Sequence, residues 1–378
     1  MTSALFYILM TVSFIVYLRF MGSIIAGLRK PESEIQPGAV FPFVNVLVIF
    51  RNEEERIKAN IESLLRQDYP AEMYKILYID DDSDDNSVKI LSGYLHDKRI
   101  NLIRVSRPEN QISFKKHAIS EAVKISGAEL ILITDADSVP SDKWISSMAD
   151  SFGENTGFTA GPVKFESGDT LFQKVQQLEF AGLISAAAGL IRSNRPVTCS
   201  GANIAFRKQA FFDAGGYEGN IFLASGDDEF LMQKIAAETS YNVIFNSSPD
   251  SRVFTRTNPT LSDFVSQRQR WASKGFFYKD KMLVAELVFI FIFFISIPAA
   301  IFGGIFYDPI LLFLGISAFL IKSALDFYAL KLSEPFTGVI PVLNVFLAAS
   351  LFHIPYIIYS ALSGTAGGFS WKGRKRSR

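Results

Sequence analysis

The sequence predicts an α/β protein: a mostly parallel sheet flanked by helices, with transmembrane helices at both ends of the chain. Three observations predict it. Short β-branched runs alternate with helix-period stretches over roughly a hundred residues, the pattern of βαβ units. Several of those runs stop at carboxylates. Apolar segments long enough to cross a bilayer precede residue 30 and follow residue 281.

Composition sets the outer limits. The 378 residues suffice for one large domain or two. Lys plus Arg and Asp plus Glu number 38 each, so no bulk field favours nucleic acid. Hydrophobic residues reach 49% and concentrate at the two ends. The single cysteine, Cys199, excludes an internal disulfide framework and a cysteine metal cluster.

Residues 4–28 form the first apolar run, interrupted late by Arg19, whose long stem can snorkel to an interface. Arg29 and Lys30 follow and place that end on the cytoplasmic side. The charges come after the run and no small-residue cleavage site is evident, so 1–30 reads as an anchor rather than a signal peptide. Residues 31–42 read as a linker.

The run 44–50, VNVLVIF, suits a buried strand. Arg51 to Glu55 then open a helix with Ile57, Ile61, Leu64 and Leu65 on one face, ended by 67–70. A strand over 74–79 runs into residues 80–85, five carboxylates in six positions, which cannot be core. Ser83 or Asp85 can cap the following helix, 88–95. Residues 101–105 read as a strand and 114–125 as a helix ended by Gly127. The stretch 129–138, ELILITDADS, is a short buried strand that stops at Asp135 and Asp137. Such a carboxylate pair sits where open α/β sheets bind ligands. Hard oxygen donors there suit Mg²⁺ or Mn²⁺ holding a diphosphate. Neither GxxxxGK[ST] nor a GxGxxG after the first strand is present, which disfavours a phosphate-loop kinase and a dinucleotide fold.

Past Asp137 the periodicity loosens. Residues 156–165 read as a strand. A long Ala- and Gly-rich helix spans 171–191, and its Lys174, Gln176, Gln177 and Glu179 suit an interfacial or substrate-flanking helix better than a membrane span. In the strand 199–206, Gly201 and Ala202 are small enough for a ligand to approach closely. Residues 210–217 end at a Gly215-Gly216 turn. Gly226-Asp227-Asp228-Glu229 opens a helix over 229–237, where acids favour the helix dipole. Short strands come next, at 242–246 and 252–255. The helix 260–276 carries Gln267, Arg270 and Trp271 at i, i+3 and i+4, hence on one face.

Membrane segments are expected at 282–305, 310–330 and 338–362, the middle one carrying Lys322 and Asp326. The tail 371–378 is strongly basic. With a cytoplasmic central domain over 31–281, three full crossings would put this tail outside, against the positive-inside rule. A re-entrant or interfacial middle segment would reconcile the two. His96 and His353 read as structural, and His117 stands beside Lys115.

Seven motifs stand in order: FRNEE at 50–54, IDDDSDD at 79–85, FKKHAI at 114–119, TDAD at 134–137, SGANIAFRKQAF at 200–211, GDDE at 226–229 and QRQRW at 267–271. Together they resemble the family 2 inverting glycosyltransferases. The resemblance is to the membrane-bound branch that includes ceramide glucosyltransferase and polysaccharide synthases. It covers roughly residues 44 to 271. The FSWKGRKR tail, 369–376, resembles the segment after the last membrane helix in ceramide-glucosyltransferase-like members. Arg51 departs from the tyrosine many members carry, and Asp82 from a common glycine.

The resemblance implies a GT-A-type fold, a nucleotide-diphosphate-sugar donor, Mg²⁺ or Mn²⁺, and a lipid or glycan acceptor at the membrane. UDP is the favoured nucleotide, with GDP the alternative. It assigns Asp80 and Asp81, flanked by Asn52 and Glu53, to the base and ribose. Lys115, or Lys116 one position on, meets the nucleotide. Asp135 faces the donor sugar and ribose, and Asp137 holds the metal. Asp228 is the expected base, with Asp227 beside it to hold it or share its proton. Gln267, Arg270 and Trp271 close over diphosphate and acceptor. The expected activity is transfer of one sugar to a lipid at the cytoplasmic face. The alternatives are a processive polysaccharide synthase and a non-catalytic nucleotide-sugar-binding scaffold.

Overall fold

In a computed structural model the described residues are 2–31, 41–106, 113–223, 225–272, 274–366, 369–371 and 374–376. Most of the expected linker, 31–42, lies outside them. The chain begins with helix α1 (Thr2–Arg29). Next come β1 (Val44–Phe50), α2 (Ile57–Leu65), β2 (Tyr74–Asp80), α3 (Ser87–Ser92), β3 (Ile100–Ile103), α4 (Phe114–Ile125) and β4 (Leu130–Ile133). The middle of the chain supplies β5 (Val139–Pro140), α5 (Trp144–Asp150), β6 (Thr156–Ala160), β7 (Val163–Phe165) and α6 (Leu171–Arg192). Then follow β8 (Ile204–Arg207), α7 (Lys208–Asp213), α8 (Glu229–Glu238), β9 (Asn242–Phe245), β10 (Val253–Thr255) and α9 (Leu261–Ala272). Three long helices, α10 (Lys281–Phe306), α11 (Pro309–Thr337) and α12 (Leu343–Ala366), precede a hairpin of β11 (Phe369–Trp371) and β12 (Arg374–Arg376).

A seven-stranded sheet runs β3-β2-β1-β4-β8-β6-β9. Only β8 is antiparallel to its neighbours, β4 and β6. The remaining strands share one direction, so the mostly parallel sheet is as the alternation predicts. Val44, Val46, Leu47 and Val48 of β1 and all four residues of β4 are buried, as strands covered on both faces must be. Because β1, β2 and β4 are parallel and in register, their carboxyl ends fall side by side, and the loops carrying the acidic motifs fall together.

Several boundaries differ from the sequence expectation. The stretch 156–165 is two strands, not one: β7 leaves the main sheet and joins β10 and β5 in a second, three-stranded sheet. Gly161-Pro162 makes the break, since proline cannot donate to a ladder. The pair β5 and α5 has no counterpart in the periodicity. Trp144 of α5 is fully buried, and its indole N–H donates to Asn203 Oδ1 at 2.8 Å. Residues 199–203 are a turn, not strand, and β8 starts only at Ile204. Helix α4 ends at Ile125 as expected, with Ser126 rather than Gly127 as its C-cap.

Among the described residues, four helices are long and apolar enough to cross a membrane: α1, α10, α11 and α12. Three of them, α1, α11 and α12, gather on α6. Helices α1 and α6 meet glycine to glycine: a Cβ on Gly27 would lie 1.9 Å from Gly189 O, so any side chain there would push the helices apart. Ser185 of α6 donates to Ser333 of α11 at 2.5 Å, and Tyr356 of α12 donates to Glu179 of α6 at 2.6 Å. Lys322 and Asp326, awkward in a membrane segment on sequence grounds, satisfy one another inside the bundle. The Lys322 ammonium lies 2.6 Å from Asp326 Oδ2 and 2.7 Å from His353 Nδ1, and Tyr17 donates to Asp326 Oδ1 at 3.2 Å. The polar set pins α1, α11 and α12 to one another, the structural part expected of His353.

The carboxyl ends of α11 and α12 both touch the sheet-bearing body. At the end of α11, Lys164 donates to Gly338 O at 2.8 Å and Arg252 to Phe336 O at 2.6 Å. At the end of α12, Gln269 of α9 donates to Ser363 at 2.8 Å, and a Cβ on Gly364 would lie 2.7 Å from Gln269 O.

Candidate functional site

One cavity of about 420 Å³ opens at the carboxyl ends of β1, β2 and β4. Asp81, Lys115, Asp135, Asp137, Asp227, Asp228, Gln267, Arg270 and Trp271 all line it, with Glu53. Asp137 and Asp228, far apart in sequence, therefore share one space.

Local structure explains how each group is presented. Asp135 and Asp137 sit on the turn that leaves β4. Asn60 of α2 clamps that turn, donating to Asp135 O at 3.2 Å and Ser138 O at 2.7 Å, while Tyr78 donates to Asn60 Oδ1 at 2.7 Å. Asn60 and Tyr78 are both buried, so the clamp is locked by packing. Asp81 follows β2 and is buried; its N–H donates to Phe50 O at 2.8 Å, stitching the ends of β1 and β2 together. Arg51 lines the cavity and donates to the carbonyls of Asp81 at 2.7 Å and Asp82 at 2.5 Å. Asp82 has φ +56°, which shows why a glycine would be at ease there. In this chain Arg51 holds the carbonyl side of that turn.

Asn52 and Asp80 are outside the cavity lining. Asn52, at φ +51°, is tied to Asp84 in both directions, donating to Oδ1 at 2.5 Å and accepting from its N–H at 3.0 Å. Asp80 Oδ1 accepts from Ser83 N at 3.0 Å. Both shape the acidic loop instead of facing the cavity. His117 is also outside it, with Nε2 3.1 Å from Ser106 O.

Of the two adjacent lysines, Lys115 lines the cavity and Lys116 does not. Lys115 Nζ stands between two loops, 2.9 Å from Asp135 Oδ1 and 3.0 Å from Asp227 Oδ2. Burial alone would depress this ammonium, but Asp135 and Asp227 outweigh it and hold the group above its ordinary range. Burial likewise raises Asp227, and Lys115 more than reverses that, leaving the carboxyl below the usual value. Lys116 points the other way. It is fully buried, donates to Asn220 O at 2.8 Å and lies 5.0 Å from the centre of the Phe230 ring. Burial drives it down to about 8.

Asp227 is thus engaged by Lys115 rather than by its neighbour. Asp228 is the N-cap of α8, with Oδ1 accepting from Glu229 N at 2.8 Å. Three residues to which the sequence motifs assign no role complete this corner: Glu229, Lys274 and Tyr278, all in the lining. Lys274 and Tyr278 lie just past QRQRW, and only tertiary contact draws attention to them. Burial raises the Glu229 carboxyl above its usual range.

Helix α9 presents Gln267, Arg270 and Trp271 to the cavity, and Arg268, on the opposite side, fixes the helix. Arg268 makes a two-pronged pair with Glu179 of α6, both side chains almost fully buried, and lies 4.3 Å from the Trp271 ring centre. Gln267 Oε1 accepts from Asn258 at 3.0 Å, and Asn258 in turn binds Gln176.

The metal expected from TDAD has two carboxylates available. No cluster of three or more His, Cys, Asp or Glu side chains occurs among the described residues. Two carboxylates on one turn fit Mg²⁺ or Mn²⁺, which commonly take one or two protein carboxylates and complete their shell with water and phosphate oxygens. Arg56 lies 3.5 Å from Asp137 Oδ2 and supplies a second cation at that end.

Residues 45–213 match the family model for glycosyl transferase family 2. Residues 130–362, more than half of the chain, match that for glycosyl transferase family group 2. The chain belongs to the family 2 glycosyltransferases. This glycosyltransferase is 25% identical over 244 residues to the poly-beta-1,6-N-acetyl-D-glucosamine synthase of Staphylococcus epidermidis, a match covering 61% of the chain. It covers 54% of that synthase, so the chain spans about half the length of this relative. It is 31% identical over 118 residues to the beta-monoglucosyldiacylglycerol synthase of Nostoc sp., covering 31% of this chain and 24% of that one. Among solved structures it resembles the mannosyltransferase PcManGT of Pyrobaculum calidifontis, in complex with GDP-Man and Mn²⁺. That match has a TM-score of 0.62 and 17% identity and covers 97% of this chain and 99% of that one. This likeness shows that the glycosyltransferase has a GT-A-like fold.

Proposed function

We propose that this glycosyltransferase moves one sugar from a nucleotide diphosphate, with UDP favoured, to a lipid or glycolipid acceptor at the cytosolic membrane face. The observation that carries the reading is the makeup of the cavity walls. One wall is charged: Asp81, Lys115, Asp135, Asp137, Asp227 and Asp228. The other is apolar: Phe180, Leu183, Ile184 and Ala187 of α6, with Val163, Phe165 and Trp271. Helix α6 is also the surface on which three of the long apolar helices, α1, α11 and α12, pack. An acceptor with a hydroxyl and a hydrocarbon chain suits both walls at once.

In this reading Asp81 and Glu53 take the nucleoside end, and Asp135 with Lys115 the ribose and sugar. Asp135 and Asp137 would hold Mg²⁺ or Mn²⁺, and a bound ion supplies Lewis-acid stabilisation of diphosphate charge, worth several kcal/mol. The relative solved with Mn²⁺ supports this assignment. Arg270 matches a diphosphate in a forked geometry that lysine does not copy. The acceptor oxygen forms its bond to the anomeric carbon as the bond to the diphosphate oxygen breaks. Asp228 takes the acceptor proton, so one displacement inverts the anomer. Trp271 offers a flat wall to the acceptor.

The orientation belongs to the same proposal. Arg29 and Lys30 place the end of α1 in the cytosol. Helices α1, α10 and α11 then make three crossings, and α12, which begins a few residues after α11 reaches the catalytic body and itself ends on that body, lies along the membrane interface. The basic tail returns to the cytosolic side, which removes the conflict with the positive-inside rule; it is the last long helix rather than the middle one that is interfacial. A reporter fused to the carboxyl terminus should respond from the cytosol only; a response from outside would show four crossings.

The staphylococcal relative favours a second reading, a processive synthase. Purified protein incubated with radiolabelled UDP-sugars or GDP-mannose, Mn²⁺ or Mg²⁺ and total lipid extract separates the two. Label in the organic phase as a single added sugar supports the lipid reading; a ladder of aqueous products replaces it with the polymer reading.

A further inference from the structure

The corner around Asp228 holds more than a base. Asp228 Oδ1 accepts from Glu229 N at 2.8 Å, and Lys274 Nζ lies 3.8 Å from the same oxygen. Lys274 Nζ also lies 3.0 Å from Glu229 Oε2. Tyr278 holds the other Glu229 oxygen at 2.8 Å, and Thr198 Oγ1 is 3.4 Å from Oε2. On the opposite side, a Cβ on Gly201 would lie 3.2 Å from Asp228 Oδ2. The two oxygens of Asp228 are therefore inequivalent. Oδ1 is tied to α8 and Lys274, and Oδ2 faces the Ser200–Ala202 turn that lines the cavity.

We propose, resting on the reading of Asp228 as base, that Lys274 is a positioning residue: clamped by Glu229, its ammonium holds Asp228 Oδ1 and leaves Oδ2 to take the acceptor proton. Lys274 stands two residues beyond the end of α9, so the element that brings Gln267, Arg270 and Trp271 to the acceptor also sets the base. Acceptor closure and base alignment are then one mechanical event. The arrangement is charge-balanced. Asp227 and Glu229 flank Asp228 on its own element, Lys116 approaches from α4, and Lys115 neutralises Asp227. Tyr217, Cys199 and Tyr278 complete the surroundings, each held protonated by burial. Lys274 is the cation that answers Glu229, and without it a buried carboxylate faces Asp228 uncompensated.

The test is the pH dependence of transfer, using whichever radiolabelled donor the wild type turns over on lipid extract. Lys274→Met is expected to lower kcat about 10- to 100-fold with donor KM within about twofold, and to move the acid limb up by about one pH unit. The sign follows because losing a nearby cation disfavours the carboxylate form. Glu229→Gln removes an anion and should move the limb down. The double variant Lys274→Met/Glu229→Gln should bring it back near wild type, and Lys274→Arg should leave it there. A limb unmoved in Lys274→Met, or moved the same way by Glu229→Gln, overturns the proposal. If Lys274→Met does not fold, the direction given by Glu229→Gln decides alone. Asp228→Asn, run alongside, separates the two layers. Full turnover in that variant removes the base reading itself; loss of turnover with an unmoved limb in Lys274→Met removes only the role of Lys274.

Discussion

The two walls of the cavity are built by different physics. The charged wall hangs on the carboxyl ends of three parallel strands and on the amino ends of α4 and α8. Its groups are set by strand register and by short loops, and its cation, Lys115, is shared between Asp135 and Asp227. The apolar wall hangs on α6 and α9, which are fixed by a buried ion pair, Arg268 to Glu179, and by Tyr356 from the last long helix. The first wall is local and comes with the sheet. The second requires the membrane helices to be in place before its side chains have positions. Damage to the first should therefore appear in chemistry or donor binding with the fold intact. Damage to the second should appear in stability and acceptor use together.

Four substitutions sharpen or break that contrast. The largest effect is expected from Asp228→Asn: turnover falls about 10²- to 10⁴-fold while donor affinity holds, checked by steady-state transfer and donor titration. Next is Arg268→Ala on the helical wall, which leaves Glu179 buried and unpaired. It should cost about 3–5 kcal/mol in stability, read as a fall in thermal midpoint in detergent. The double change Arg268→Met/Glu179→Leu should recover much of that. A single Arg268→Ala with an unchanged midpoint would erase the contrast. Third, Arg270→Lys should lose most activity with the midpoint unchanged, because the forked pairing is lost and the charge kept; full activity would remove the diphosphate assignment.

The smallest effect concerns Lys116. Its value is about 8 in the folded chain against 10.5 as the ordinary value, so the unfolded chain binds more protons between those two pH values. Raising pH through that window therefore favours the folded state of the wild type. Lys116→Met has no such group, so its thermal midpoint should exceed the wild type's by most below pH 8. The difference should shrink as pH approaches 10.5. A difference that does not change with pH would show that Lys116 stays charged in the folded protein.

Much of the charged wall was legible because its signals are short-range. A buried strand is a run of four to seven apolar residues, and the loop just past its carboxyl end faces the ligand, so TDAD announces itself; GDDE does so as a run of acids at the start of a helix. Even here the sequence overreached by one residue in places. Asn52 and Asp80 belong to the right loops, but their side chains turn back to hold Asp84 and Ser83, a difference of side-chain direction that no motif records. The division of labour between Lys115 and Lys116 is of the same kind. Two adjacent residues on a helix point about 100° apart, and only packing says which side is cavity.

The sequence by itself determined the alternating strands and helices, the membrane-length segments, the family, and most of the acidic groups, because each is written in contiguous residues with a period or a motif. Tertiary structure alone decided that 156–165 divides between two sheets and that α11 and α12 both end on the catalytic body. It alone decided that Lys322, Asp326 and His353 satisfy one another, and that Glu229, Lys274 and Tyr278 surround Asp228. Each of those depends on pairing between groups tens to hundreds of residues apart. The energy of a buried charge or an unpaired strand edge is set by the partner that reaches it, and the identity of that partner is a property of the folded chain.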